Sequence, residues 1–573
     1  MGKSEDKRCI KSKADSIKLS PIAPIAVFFL SFLSVGLFHE VHSAVFSAAL
    51  CVIITITAVK KKELTIYINP ASVSVFLISA SYLLVTLWAN DKGEALIGFF
   101  KFLPALLFMI LIMQYEGIKD KLLELLPHFA AGSVIVTALL MQIPPLKSYF
   151  SVAGRLSGFF EYPNTFALFT LIALLIILTK KEIDITGYIE CAVLTFGIIY
   201  SGSRFIFVLS VISVFPALFI NRGKKKTLFS LLSVGIPAVG LITYGLIAGR
   251  LDSLTRFLST SFESSSLLGR VLYWIDALPE ILSHPFGHGY LNYYLTQSTF
   301  QSGVYSVRYM HNDVLQFAFD IGWIPALFFI SLLFYHVFRK ASKHETRLIL
   351  AVFFAHLLFD FDIQFTAMFM LLILFLDTES GKTVTLENVF TTRILPVTLA
   401  LISVYIMSSL AFSLAGNHAA AAKIYPANTE NNVNMMLEAN ENDKEAIADR
   451  IIASNSEVYS AYMVKATASF SKGDFLEVIK NGKKALELAP YDYEQYTYLS
   501  SMLIYGVSLY EQNGDISSAD YCRRSVIEIA DMYQKAKTGL HPIAYKIDDS
   551  FKESLPEDLE AVIAEYKHDL SGN

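Results

Sequence analysis

Between Pro21 and about residue 414 the chain repeats one pattern: an apolar run of some 18 residues or more, then a short polar connection. A helix rises about 1.5 Å per residue, so about 20 apolar residues cross a hydrocarbon core about 30 Å thick. The pattern predicts about thirteen spans, at 20–38, 43–59, 70–89, 95–114, 122–142, 163–179, 186–202, 204–220, 227–248, 312–338, 348–361, 364–377 and 394–414. Asp360 and Asp362 interrupt the short pair at 348–377, which makes the count twelve or thirteen. From residue 415 charge becomes frequent, with 25 Asp and Glu against 15 Lys and Arg, and apolar residues take the spacing of amphipathic soluble helices. The expected fold is all-α: a basic tail at 1–19, a polytopic transmembrane domain at 20–414 and a soluble helical domain at 415–573.

Composition and charge add compartment and sidedness. Of 573 residues 54% are hydrophobic and 17% charged, which excludes an ordinary soluble enzyme. Basic residues mark every second connection: Lys3 to Lys18 in the tail, Lys60 to Lys62, Lys119 and Lys121, Lys180 and Lys181, Arg222 to Lys226, then Arg339 to Arg347. By the positive-inside bias these connections face the cytoplasm. The others, including a large loop at 250–311, then face outside, and an odd span count puts 415–573 outside as well. The first apolar run shows no small-residue cleavage site and reads as an uncleaved span. Cys9, Cys51, Cys191 and Cys522 form no pair that suggests a disulfide or a C-x-x-C metal site. No Walker loop or dinucleotide fingerprint appears, so no cofactor and no nucleic-acid partner is expected.

Candidate chemistry collects on the outer side. Arg155 and Asn164 lie in G-R-L-S-G-F-F-E-Y-P-N-T-F-A, Arg204 closes Y-S-G-S-R, and Arg270 opens R-V-L-Y-W. His311 stands at the mouth of a span, followed by Asn312, Gln316 and Asp320 at i, i+4 and i+8, which share one helix face. Polar groups at a membrane mouth are costly unless they line a cavity or bind something. Guanidinium offers a planar fork of donors matched to phosphate oxygens, and imidazole takes a hydroxyl proton near neutral pH. Each residue also has a plainer reading. Arg204 suits a helix-end anchor, Arg155 and Arg270 suit solvated loop charges, His311 suits an interfacial position, and Asp360 with Asp362 equally marks a hairpin. The topological convergence of Arg155, Arg204, Arg270 and His311 is what favours a site. His284 and His288 flank Pro285, Gly287 and Gly289 and read as turn residues. With His311 they lack a carboxylate at ligand spacing, so no metal site is expected.

In order and sidedness these segments resemble the O-antigen ligase and polymerase superfamily of bacterial membrane glycosyltransferases. The resemblance covers roughly 20–414 and includes H-P-F-G-H-G-Y, H-N-D-V-L-Q-F-A-F-D-I-G and L-F-D-F-D. It implies a GT-C-like integral enzyme of the bacterial cytoplasmic membrane, independent of metal and nucleotide sugar, with an extracytoplasmic active site. Such enzymes pass a glycan from a polyprenyl (undecaprenyl) diphosphate carrier to a hydroxyl of a glycan, lipid or protein acceptor. On that reading Arg204 and Arg270 bind the diphosphate and His311 activates or positions the acceptor, these three being catalytic. Arg155, Asn164, Asn312 and Gln316 contribute substrate contacts. The segment beginning at Ala461 separately resembles one tetratricopeptide repeat, with Tyr462, Gly473, Ala485 and Pro490 in place and a looser copy at Tyr496, Gly514, Asp515 and Ala519. Helices at 441–453 and 557–569 would cap it, and such a domain would dock a protein partner. A lipid-linked glycan flippase or polysaccharide transporter is the alternative, although a carrier should place its polar groups near the midplane.

Overall fold

The structure, a computed structural model, describes residues 20–221, 223–248, 265–339, 342–548, 551 and 554–571. The basic tail 1–19, Arg222, Lys340 and the first part of the predicted outer loop (249–264) lie outside the described residues. Helices of seven residues or more are numbered here in chain order. The apolar part holds α1 Ile22–Leu33, α2 Glu40–Lys61, α3 Pro70–Leu84, α4 Lys92–Ile112, α5 Ile118–Leu140, α6 Pro163–Thr179, α7 Ile185–Ser201, α8 Arg204–Phe219, α9 Lys224–Ala248, α10 Ser265–Ser283, α11 Asp313–Ile321, α12 Trp323–Phe338, α13 His344–Leu357, α14 Thr366–Phe375 and α15 Leu395–Leu414. The polar part holds α16 His418–Ile424, α17 Thr429–Glu438, α18 Glu441–Ser454, α19 Tyr459–Ser471, α20 Phe475–Leu488, α21 Tyr493–Gln512, α22 Ile516–Gly539 and α23 Glu557–Ser571. The protein is an all-α polytopic membrane protein.

Among the described residues six helical stretches are long and apolar enough to cross a membrane by length and composition: Glu40–Lys61, Pro70–Leu87, Lys92–Ile112, Ile118–Leu140, Lys224–Thr243 and Phe390–Leu414. Six more apolar helices, α1, α6, α7, α8, α12 and α14, have 10–17 residues. Two predicted spans differ in kind. The run 312–338 is broken at Gly322, whose φ of +97° ends α11 and lets α12 restart at Trp323. The run 348–361 begins earlier, as α13 from His344, and carries Glu345, Arg347 and His356.

Local chemistry sets the helix ends. Asn69 and Ser72 form a reciprocal capping box around Pro70, and the side chains of Asp91 and Asp184 accept from Glu94 N and Gly187 N at 3.0 and 2.8 Å. Gly202, at φ +60°, closes α7 in the left-handed conformation and lets α8 begin at Arg204.

The ends of these helices segregate into two sets. At one end β1 Leu64–Ile68 pairs antiparallel with β4 Lys382–Leu386, Ile66 facing Val384. There Lys61 Nζ donates to Gln114 O at 2.5 Å, Lys119 Nζ to Leu376 O at 2.6 Å, and Arg339 pairs with Asp377 at 2.9 Å. These are the connections in which the basic residues recur. At the other end lie the short ribbon β2 Ser151–Val152 with β3 Arg155–Leu156, the segment 284–312 and the polar helices. The latter attach by Tyr425 OH to Gly93 O at 3.0 Å, Glu430 N to Glu94 Oε1 at 2.9 Å and His541 N to Ser302 O at 2.9 Å. Leu272 of α10 is fully buried in the same apolar cluster as α20 to α23. Within that region α19 with α20 and α21 with α22 form consecutive helix pairs, Asp474 and Asp515 capping the second helix of each.

Candidate active site

The connection between α13 and α14 carries L-F-D-F-D-I-Q, and its first carboxylate gathers groups from three other segments. Asp360, with its side chain 2% exposed, accepts from Tyr162 OH at 2.9 Å on Oδ1 and from Asn164 Nδ2 at 2.8 Å on Oδ2. His311 Nδ1 lies 3.2 Å from Oδ1, and Arg270 Nη2 lies 3.6 Å from Oδ2. Its own backbone carbonyl accepts from Asp313 N at 3.1 Å, so the start of α11 is bound to the same residue. Burial alone would raise the Asp360 carboxyl, but the His311 hydrogen bond and the nearby Arg270 charge outweigh it and hold the group below the usual carboxylate range.

His311 has the conformation of a positioned residue. Its φ of +53° is left-handed, a conformation uncommon outside glycine and one that must be held by its surroundings. The hold is visible: Nδ1 against Asp360, and the ring edge-on to Phe361 with centroids 4.9 Å apart. A carboxylate at Nδ1 selects the tautomer with the proton there, which leaves the Nε2 lone pair free to accept. The side chain is 23% exposed, so that lone pair is reachable.

The segments that carry Arg204 and Arg270 meet at Phe359, next to Asp360. Phe205, one residue into α8, packs on Phe359 at 4.7 Å, and Trp274, one turn after Arg270 on α10, packs on it at 5.8 Å. Trp274 Nε1 also donates to Met310 O at 2.9 Å, tying α10 to the residue before His311. Arg270 is shared with Asp360, while half-buried Arg204 has no hydrogen bond or ion pair to another described residue. Arg155 stands differently. Its Nε donates to Ser201 O at 2.7 Å and its Nη2 to Asn164 Oδ1 at 2.6 Å, which turns the Asn164 amide so that Nδ2 meets Asp360. Arg155 and Asn164 are thus bound to the hub itself.

The polar stripe is also internal, contrary to its expected role as a cavity lining. Asn312 Oδ1 caps α11 by accepting from Val314 N and Leu315 N at 3.0 Å each. Gln316 accepts from Met310 N at 3.1 Å and donates to Asp320 at 2.9 Å, and Asp320 accepts from Tyr82 OH at 2.9 Å. Gln316 and Asp320 are 1% and 0% exposed, so these groups satisfy one another inside the fold. Asn312 and Gln316, expected as substrate contacts, thus make hydrogen bonds within the fold. Among the described residues no metal-ligand grouping includes His311.

Three features went unread in the sequence. Asp360 was visible, but nothing local distinguishes a hub from a hairpin mark. Tyr162 sits two residues before Asn164 and gave no signal. A second polar cluster joins Arg308 to Glu40 at 2.9 Å, and to Glu430 of α17, while Tyr290 donates to Glu40 and Lys101 Nζ donates to Phe38 O. Arg308 could have been found by the signal that marked the others, a cation on the basic-poor side. An aromatic layer of Phe38, Tyr309, Phe361 and Phe365 lies between the two clusters.

Residues 190–330 match the family described as O-Antigen ligase. Over those residues, about a quarter of the chain, the sequence is similar to that family. That match runs from α7 into α12 and so includes Arg204, Arg270 and His311, while Arg155, Asn164 and Asp360 lie outside it. No curated protein matches the chain. The matched segment thus supplies Arg204, Arg270 and His311, and a flanking segment supplies the carboxylate that meets Arg270 and His311.

Proposed function

We propose that the protein is a membrane glycosyltransferase that moves a glycan from a polyprenyl diphosphate carrier to an acceptor hydroxyl on the outer face of the bacterial cytoplasmic membrane. The observation that carries this reading is the Asp360 hub, which aims His311 and shares Arg270 while the neighbouring Arg204 guanidinium stays uncommitted. The carrier diphosphate is a good leaving group, so catalysis needs alignment, one base and cationic compensation. The acceptor oxygen bonds to the anomeric carbon, the bond from that carbon to the diphosphate oxygen breaks, and its electron pair leaves with the diphosphate. The hydroxyl proton passes to His311 Nε2, and Asp360 stabilises the resulting imidazolium. Arg204 and Arg270 balance the charge on the leaving diphosphate. The helix pairs of 415–573 serve as a tetratricopeptide-like docking module for an acceptor or a protein partner.

The test is reconstitution with a lipid-linked glycan, reading both glycosylated acceptor and released polyprenyl diphosphate. Arg204→Lys keeps the charge but loses the fork, so turnover should fall by about 10²-fold or more with normal insertion. Movement of intact donor across the vesicle membrane, with no diphosphate released, would establish the flippase reading instead.

A further inference from the structure

Away from the Asp360 hub, the C-terminal end of α10 and the turn after it hold Glu280, His284 and His288 at four-residue intervals. We propose that these three side chains form a binding site for a divalent cation of the zinc class. Glu280 and His284 stand one helical turn apart, so their side chains share a face. The turn Pro285–Phe286–Gly287, closed by Gly287 N to His284 O at 3.0 Å, brings His288 back over that face. Glu280 Oε2 lies 3.8 Å from His284 Nδ1 and 3.9 Å from His288 Nε2, and all three ligand atoms fall within 4.8 Å of one another. A tetrahedral cation with bonds of about 2.0–2.1 Å sets its ligand atoms about 3.3 Å apart, so closure requires them to approach one another by about 0.5–1.5 Å.

The site is held in place before any ion arrives. The His288 ring stacks on Phe319 at 4.3 Å and 18°, and its backbone N donates to Phe319 O at 2.8 Å. Gly289 N donates to Asp320 O at 2.9 Å. Gly287 and Gly322 allow this approach: a Cβ on Gly287 would stand 2.4 Å from Asp320 O, and one on Gly322 would stand 2.1 Å from Pro285 O. His284 Nδ1 also meets Glu280 O at 3.1 Å and Ser283 Oγ at 2.9 Å, neutral contacts that a cation would replace. Glu457, in the connection before α19, lies within electrostatic reach of Glu280 and His284. Two imidazoles with one carboxylate suit zinc and its neighbours, whereas magnesium and calcium prefer an all-oxygen set. The role that follows is mechanical. A cation here would staple the end of α10 to the C-terminal end of α11, the helix whose first turn His311 precedes.

The full-length protein in nanodiscs, stripped with a chelator, is titrated with zinc against a chromophoric competitor and separately with cobalt(II). Wild type should bind one more tight zinc equivalent than His284→Ala/His288→Ala, give visible cobalt bands of a tetrahedral site, and melt at a higher temperature with zinc but not with magnesium. Glu280→Gln, nearly isosteric and partly exposed, should weaken zinc binding by about 10-fold or more while leaving the zinc-free melting temperature unchanged. Equal zinc stoichiometry and affinity in wild type and Glu280→Gln, or no tight zinc in wild type, would overturn the assignment. Neither result bears on glycan transfer, which is read separately.

Discussion

Asp360→Asn removes one charge and almost no volume from the hub, so it isolates the electrostatic part of the site. The carboxylate meets two groups that carry positive charge in the proposed reaction, His311 at 3.2 Å and Arg270 at 3.6 Å. Hydrogen bonds to charged groups contribute roughly 1.5–3 kcal/mol each, giving roughly 3–6 kcal/mol for the pair. The Arg270 contact exceeds hydrogen-bond length and that side chain is 19% exposed, which places the sum in the lower half of the range. At about 1.4 kcal/mol per decade, turnover should fall by about 10²–10³-fold. The amide oxygen can replace Oδ2 as the acceptor of Asn164, and the Tyr162 hydroxyl can turn to accept from the new NH2 in place of Oδ1, so the variant should insert and fold. The assay is release of polyprenyl diphosphate by the reconstituted protein, with binding of the lipid donor measured in parallel. Turnover within about threefold of wild type in a well-folded Asp360→Asn protein would refute the hub as the organiser of the site. The pH dependence follows from the depressed carboxyl. Its stabilising contribution is full above the unfolded value of about 3.9 and is lost only as pH falls through the lower folded value. The carboxylate's contribution to the Tm difference between wild type and Asp360→Asn should therefore not be lost between about pH 8 and about pH 5.

His311→Gln can still hydrogen-bond but cannot take a proton at neutral pH, so it should lose about 10²–10⁴-fold in turnover while donor binding persists; substantial activity would leave His311 a positioning residue. Arg308→Ala leaves Glu40, whose side chain is 16% exposed, without its cationic partner and should destabilise the chain by about 3 kcal/mol. Faster proteolysis between α15 and α17 is the measurement, and unchanged cleavage would mean that the other contacts suffice. In a background lacking the four native cysteines, exposed Ser471→Cys should react with an impermeant thiol reagent in intact cells and exposed Lys382→Cys should not. The reverse pattern would invert the proposed orientation.

What was legible in the sequence followed from length and spacing. Apolar runs near membrane thickness and the recurrence of basic connections yield an all-α membrane fold with segregated ends, and Arg204, Arg270 and His311 follow because each begins or precedes a run. What failed needed distant partners. Asp360 is defined by Tyr162, Asn164, Arg270 and His311, separated from it by 49 to 198 residues, and no local periodicity reports such a meeting. The partners of the stripe after His311 are illegible for a related reason. Helical spacing correctly puts Gln316 and Asp320 on one face, but whether that face meets substrate or Tyr82 is decided 238 residues away. Glu280, His284 and His288, by contrast, stand at i, i+4 and i+8 in plain view. They were passed over because the carboxylate was sought near His311 and the turn residues explained the histidines.

The antiparallel pairing of β1 with β4 has a consequence for biogenesis. Leu64 leaves the ribosome about 320 residues before Leu386, the residue it faces. At about 5–20 residues per second the strand waits roughly 15–60 s for its partner, with an open edge throughout. Glu40 waits through 268 residues for Arg308, and Tyr82 through 238 for Asp320. The earliest helices must therefore enter the membrane while their polar groups remain unanswered, and the ribbon can close only after α14 has been made. Closure of that ribbon is a marker of completed assembly, and a stalled nascent chain ending before residue 382 should be the species that quality-control proteases recognise.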